Sequence, residues 1–287
     1  MPQATQATQT VTAGTSATTV PAVKNRRKSR FAKSALVALS ATGLTVGLTG
    51  SANAAVLNPL PWNASTFQNK YMPLFDYDSD SCFPVAAVDA SGKLNGGLDN
   101  TGSITGGCRH PGKANTYSQG WCKNGWCAYV YALYFEKDQT LNGADAFGHR
   151  HDWESVVVFQ KQGEESPRFL SASRHGGYST HPINEVPMGK VNNEPNYNRV
   201  EIVYHKDGAS THAFRFAKWG ESPVVWGNGT WDRPALVTME NMADAPRNAL
   251  WNSKWGKANF PLTGNLQANI NKAREADSRA KSAIPAF

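Results

Sequence analysis

Gly148-His149-Arg150-His151-Asp152-Trp153-Glu154 runs directly into Ser155-Val156-Val157-Val158-Phe159. The second stretch is β-branched and apolar, and it reads as a buried strand. The first packs two imidazoles, two carboxylates, a guanidinium and an indole into seven residues. A charged cluster therefore sits at the mouth of a strand that enters the core. Side chains two apart on a strand share a face. Asp152 and Glu154 thus project together, with Arg150 behind them if the strand reaches that far. His149 has the opposite parity, and it joins the carboxylates only where the backbone loops or bulges, which Gly148 allows. Neighbouring carboxylates repel unless a cation or a shared proton relieves them. One neutral imidazole with carboxylate oxygens suits a divalent cation such as Mg, Ca, Mn or Zn. The competing reading is a solvated salt-bridge cluster at a strand end.

Upstream, Cys127-Ala128-Tyr129-Val130-Tyr131-Ala132-Leu133-Tyr134-Phe135 is apolar at both parities, so it reads as a central strand covered on both faces. Glu136-Lys137-Asp138 ends it, and residues 139–147 form a loop with turn signals at Asn142-Gly143 and Asp145. Two adjacent strands then bring Asp138 and the heptapeptide to one end of a sheet, where Asp138 is a further candidate ligand.

Four cysteines, Cys82, Cys108, Cys122 and Cys127, allow three pairings. Asn124-Gly125 is a strong two-residue hairpin signal and places Cys122 opposite Cys127. That leaves Cys82 to pair with Cys108 across a Gly-rich loop. A four-cysteine zinc site lacks the two C-x-x-C pairs it needs.

Downstream, residues 199–205, 211–216 and 236–239 read as strands, 243–251 as a short helix, and 265–283 as one terminal surface helix. His175 and His212 could approach the metal end. The composition, rich in Trp, Tyr, Gly, Pro and Asn with short β-branched runs, favours a β-rich fold with many turns.

Residues 1–54 read as a secretory signal peptide. A basic run, Lys24 to Lys33, precedes an apolar stretch, and Ala52-Asn53-Ala54 provides a cleavage site. The twin arginines at 26 and 27 lack the usual flanking residues of a twin-arginine signal. The segment has the style of a Gram-positive bacterial secretor. It holds six cations and no acid, so of the net charge of +7 only +1 remains for residues 55–287. The basic character belongs to the leader, which removes the basis for a nucleic-acid-binding reading. Residues 55–287 suit a single domain with a sizeable core.

The heptapeptide resembles the GHRHDWE motif of the necrosis- and ethylene-inducing-protein-like (NLP) cytolysin family, and the chain looks like a bacterial four-cysteine member. Cys82-Phe83-Pro84-Val85-Ala86-Ala87-Val88-Asp89, Gly106-Gly107-Cys108-Arg109, residues 128–138, His175-Gly176-Gly177-Tyr178 and Ala258-Asn259-Phe260-Pro261 are also similar to family segments. The resemblance implies a mostly β, single-domain β-sandwich flanked by a few helices and similar to the actinoporins. It implies a secreted, extracellular, non-enzymatic and monomeric cytolysin. Its partners would be the glycosylinositol phosphorylceramides of the plant plasma membrane and plant immune receptors, with Mg or Ca helping to hold the sugar head. Carried over by motif, the metal ligands would be Asp138, His149, Asp152 and Glu154, and His212 and Arg150 would contact the head group.

Two features depart from the family pattern. The segment between Asp138 and His149 is about three residues longer, which makes Asp145 a reserve ligand. Gly208-Ala209-Ser210 lacks the exposed Trp of cytolytic members, which implies weaker lysis, with Trp226 and Trp231 as possible substitutes. The competing functions are a metal-dependent hydrolase and a non-toxic surface-binding member. Against the hydrolase, the second acid–histidine pair and a G-x-S-x-G elbow are missing.

Overall fold

Ten strands in two sheets frame the described part of the molecule, a computed structural model that describes residues 55–191 and 198–287. The expected signal peptide lies outside the described residues. In chain order the strands are β1 (Leu74–Tyr77), β2 (Asn115–Lys123), β3 (Trp126–Asp138), β4 (His149–Lys161), β5 (Phe169–Arg174), β6 (Gly177–Pro182), β7 (Met188–Gly189), β8 (Arg199–Lys206), β9 (His212–Phe216) and β10 (Ala235–Thr238). The helices are α1 (Thr66–Tyr71), α2 (Asp244–Trp251), α3 (Leu266–Glu275) and α4 (Ser278–Ala283). The six-stranded sheet has the order β10-β2-β3-β4-β5-β6. The four-stranded sheet has the order β1-β8-β7, with β9 also paired to β8.

The central place of β3 follows from its composition. Every residue of β3 is buried, because each face of the large sheet has its own cover. Tyr129, Tyr131, Leu133 and Phe135 pack with Phe75, Ile202, Tyr204 and Phe214 of the small sheet. Ala128, Val130, Ala132 and Tyr134 pack with Trp153, Trp255, Phe260, Leu266 and Ile270, from β4 and the C-terminal segment. The architecture is a β-sandwich with helices on the outer face of one sheet.

The β2–β3 hairpin turns through Asn124 and Gly125, both at positive φ (50° and 78°). That is the backbone a two-residue type I′ turn requires. The register sets Cys122 against Cys127, and these two are disulfide-bonded, as are Cys82 and Cys108.

Three boundaries differ from the sequence reading. Glu136-Lys137-Asp138 belongs to the central strand, which ends at Asp138, and β4 already begins at His149. The single terminal helix is two helices. Asp277 leaves the helical conformation and its carboxylate caps the N–H groups of Arg279 and Ala280. Its face is also not merely superficial, since Ile270, Ala273 and Ala280 are buried against the large sheet. β1, β5, β6 and the short β7 lack a strong alternating signal of their own. No helix among the described residues is long and apolar enough to cross a membrane.

Candidate metal centre

Asp138 ends β3 and His149 opens β4, and the two lie directly opposite each other. The ladder keeps one register, but the Glu136–His151 pair is missing from it. There His151 takes φ 60°, a left-handed conformation uncommon for a non-glycine residue. This reversal, rather than looseness at Gly148, brings the odd-numbered His149 to the side of Asp152. His151 is itself anchored on the helix-covered face. Its Nδ1 lies 2.6 Å from the Tyr134 hydroxyl and its ring meets Trp255 edge-on. Burial and the Arg150 charge lower its pKa to about 4, so the ring is neutral at pH 7 and one hydrogen bond joins it to the tyrosine.

One oxygen each from Asp138 and Asp152 and one nitrogen from His149 lie within 4.8 Å of one another. Secondary contacts orient all three. His149 Nδ1 stands 2.6 Å from the His151 carbonyl oxygen. A carbonyl only accepts, so Nδ1 carries the proton and Nε2 keeps its lone pair for a cation. Asp138 Oδ1 accepts from His212 Nδ1 at 2.8 Å, and both of its oxygens accept from the His212 backbone N–H at 3.1 Å. Asp152 Oδ1 accepts from Trp153 N at 2.9 Å and its Oδ2 accepts from the Tyr204 hydroxyl at 2.8 Å.

The electrostatics are those of an acid-rich site. Asp138, Asp152 and Glu154 are all buried. Burial, and then the Asp138 charge, raise the Asp152 carboxyl to about 7. Burial and the Asp152 charge raise Glu154 well above the carboxylate range. Burial works against a charged His212, but its bond to Asp138 outweighs this and its pKa is raised. His212 Nε2 is buried without a hydrogen-bond partner. Removing carboxylates from water is costly unless opposite charge compensates them. A hard divalent cation is the compensating group that this set of two carboxylates and one imidazole fits.

These groups form part of a pocket of about 420 Å³, to which the C-terminal segment contributes Lys257, Asn259, Asn265, Asn269 and Lys272. Three expected residues fall elsewhere in the scheme. Glu154 lines the pocket but is not in the converging trio, and the Ser173 hydroxyl donates to its Oε2. Asp145 is no reserve ligand. It is buried within its loop, where its carboxylate accepts from the backbone N–H groups of Thr140, of Leu141 at 3.2 Å and of Phe147 at 2.9 Å. Burial opposes its charge, yet these amides hold it down to about 2. Arg150 does not line the pocket; it reaches Asp99 and the Gly96 carbonyl. His175 does line it, with Nε2 held 2.8 Å from Asp207. Trp226 is half-buried against Phe83, so it offers no free anchor. Sequence reasoning missed Tyr204, Ser173 and the amides of the C-terminal segment, which carry no spacing signal relative to the heptapeptide.

A two-sheet sandwich with a carboxylate–imidazole pocket at the sheet end defines a class, and comparison places the chain within it. The profile of the family described as "Necrosis inducing protein (NPP1)" matches residues 65–273. NLP effector protein 10 of Phytophthora capsici is 34% identical over 201 residues, 68% of this chain and 77% of the relative. Necrosis-inducing protein NPP1 of Phytophthora nicotianae is 34% identical over 202 residues, with the same coverage of 68% and 77%. Among solved structures, NLPPya in complex with mannosamine is similar with a TM-score of 0.62 and 28% identity, over 76% of this chain and 95% of that one. The non-toxic HaNLP3 protein has a TM-score of 0.61 at 28% identity, over 76% and 96%. The chain belongs to the necrosis-inducing protein family, that of the NLP effectors.

Proposed function

We propose that the protein is a secreted, non-catalytic cytolysin directed at plants. It recognises the sugar head of glycosylinositol phosphorylceramides with the help of a divalent cation, Mg or Ca, and then damages the membrane. The observation that carries this reading is the convergence of Asp138, His149 and Asp152 in a polar pocket of about 420 Å³. The cation would be held by those three residues, and it would supply one strong fixed charge against which sugar hydroxyls orient. NLPPya, a structural neighbour, is described in complex with mannosamine and with glucosamine, which supports a sugar as the occupant. HaNLP3 is described as non-toxic although its fold is equally similar, so a binding member without lysis is the second reading. A bacterial source and a monomeric state are part of the proposal.

The test is flotation with vesicles of phosphatidylcholine, with and without glycosylinositol phosphorylceramide. Binding should require the sphingolipid and a divalent cation and be lost in Asp152→Ala. Leakage should be present but weak, because no exposed Trp borders the pocket in residues 208–210. Equal binding to both vesicles, or binding that survives chelator, would sink the mechanism. Release of a cleaved product would instead show an enzyme.

A further inference from the structure

Residues 139–148 join the two strands that end in Asp138 and begin with His149, so this loop rises from the candidate metal centre itself. It is tied down by its own polar groups. Gln139 Nε2 donates to the carbonyls of Gly102 at 3.0 Å, Leu141 at 2.7 Å and Gly143 at 3.1 Å. Gly143 N donates to the Gly102 carbonyl at 2.7 Å, and Ile104 N donates to Asn142 Oδ1 at 3.0 Å. Residues 100–107 and 139–148 thus form one joined surface, and Asp145 is its sole ionisable side chain. That carboxylate is buried and satisfied by backbone amides. The exposed part therefore carries no charge, while Leu141 and Phe147 remain 54% and 73% exposed. A single exposed apolar side chain needs no explanation. Two of them on an uncharged, internally braced loop beside a pocket call for a partner.

We infer that residues 141–147 are a membrane-contacting tip, inserting Leu141 and Phe147 into the interfacial zone of a lipid bilayer. The absence of exposed charge favours a bilayer over a protein surface, where charged and polar rims set register. The neighbouring Thr101, Ser103 and Asn142 suit the hydrated head-group layer. The proposal rests on reading the pocket as a head-group site, because the tip then reaches the bilayer as the pocket reaches a lipid head.

The experiment compares the wild type with the double variant Leu141→Ser, Phe147→Ser on the same two vesicle types. Both side chains are exposed, so the melting temperature and its rise with Mg or Ca should be unchanged. Affinity for sphingolipid vesicles should fall on the order of tenfold or more, the loss expected for two apolar side chains that no longer leave water. Phe147→Trp should add fluorescence that brominated acyl chains quench. Unchanged vesicle affinity with no added quenching overturns the proposal, including the case in which the loop serves a protein receptor. Failure of the head-group reading looks different: the wild type would then bind both vesicle types equally.

Discussion

Gly148 shows how closely the site is built. A Cβ there would run into the Asp138 carbonyl oxygen and stand 2.8 Å from Asp145 Oδ2. Its value is therefore close approach, not unusual φ. Gly148→Ala should destabilise the protein by about 1–3 kcal/mol through overpacking and weaken cation binding with it, read from denaturant midpoints with and without Mg. An unchanged midpoint would mean that the loop is free to shift. Asp152 shares the pH dependence with Glu154, whose carboxyl is also raised. An unfolded Asp titrates near about 3.9, while in the folded protein Asp152 is raised to about 7. Its contribution to stability is present below about pH 4 and is lost as pH rises towards 7. In chelator, stability should fall over that window, and Asp152→Asn should flatten the fall. A flat wild-type profile would argue against a self-repelling acid cluster.

Among the elements, the two cross-links act on loops of different length. Cys82 and Cys108 are 26 residues apart, Cys122 and Cys127 only five. In the chain-entropy account the longer closure is worth about 3.5 kcal/mol and the shorter about 2. Replacing Cys82 and Cys108 by Ser should therefore lower the denaturation midpoint more than replacing Cys122 and Cys127, whose hairpin is also specified by Asn124-Gly125. The reverse order would show that the short bridge protects something beyond its turn. The strand pair β3–β4 was legible because its apolar residues occupy both parities and demand two covers. The break between α3 and α4 was less legible. Asp277 sits amid a continuous amphipathic pattern, and its capping role depends on local geometry that the pattern does not encode.

For the whole molecule, a cation that binds only the folded state should offset the repulsion of the buried acids. At a hundredfold excess over its dissociation constant it adds about 2.7 kcal/mol. Calorimetry at pH 7 should show Mg or Ca raising the melting temperature in the wild type and not in His149→Ala or Asp152→Ala. Absence of any rise in the wild type would leave the acids as a hydrogen-bonded network only. The sequence by itself determined the strand that enters the core, the hairpin and the disulfide pairs, and it named four candidate ligands, Asp138, His149, Asp152 and Glu154, of which the structure brings the first three within 4.8 Å of one another. Each rests on residues near in sequence, or on a period that the backbone must obey. Tertiary structure alone decided the rest. It set His212 beneath Asp138 and the Tyr204 hydroxyl on Asp152, turned Glu154 to Ser173, spent Asp145 on its own loop and left Leu141 and Phe147 in water. Spacing fixes which way a side chain points only while the backbone stays regular, and His151 breaks that regularity at the site. Which distant donor then meets a given carboxylate is set by how the two sheets and the C-terminal segment pack.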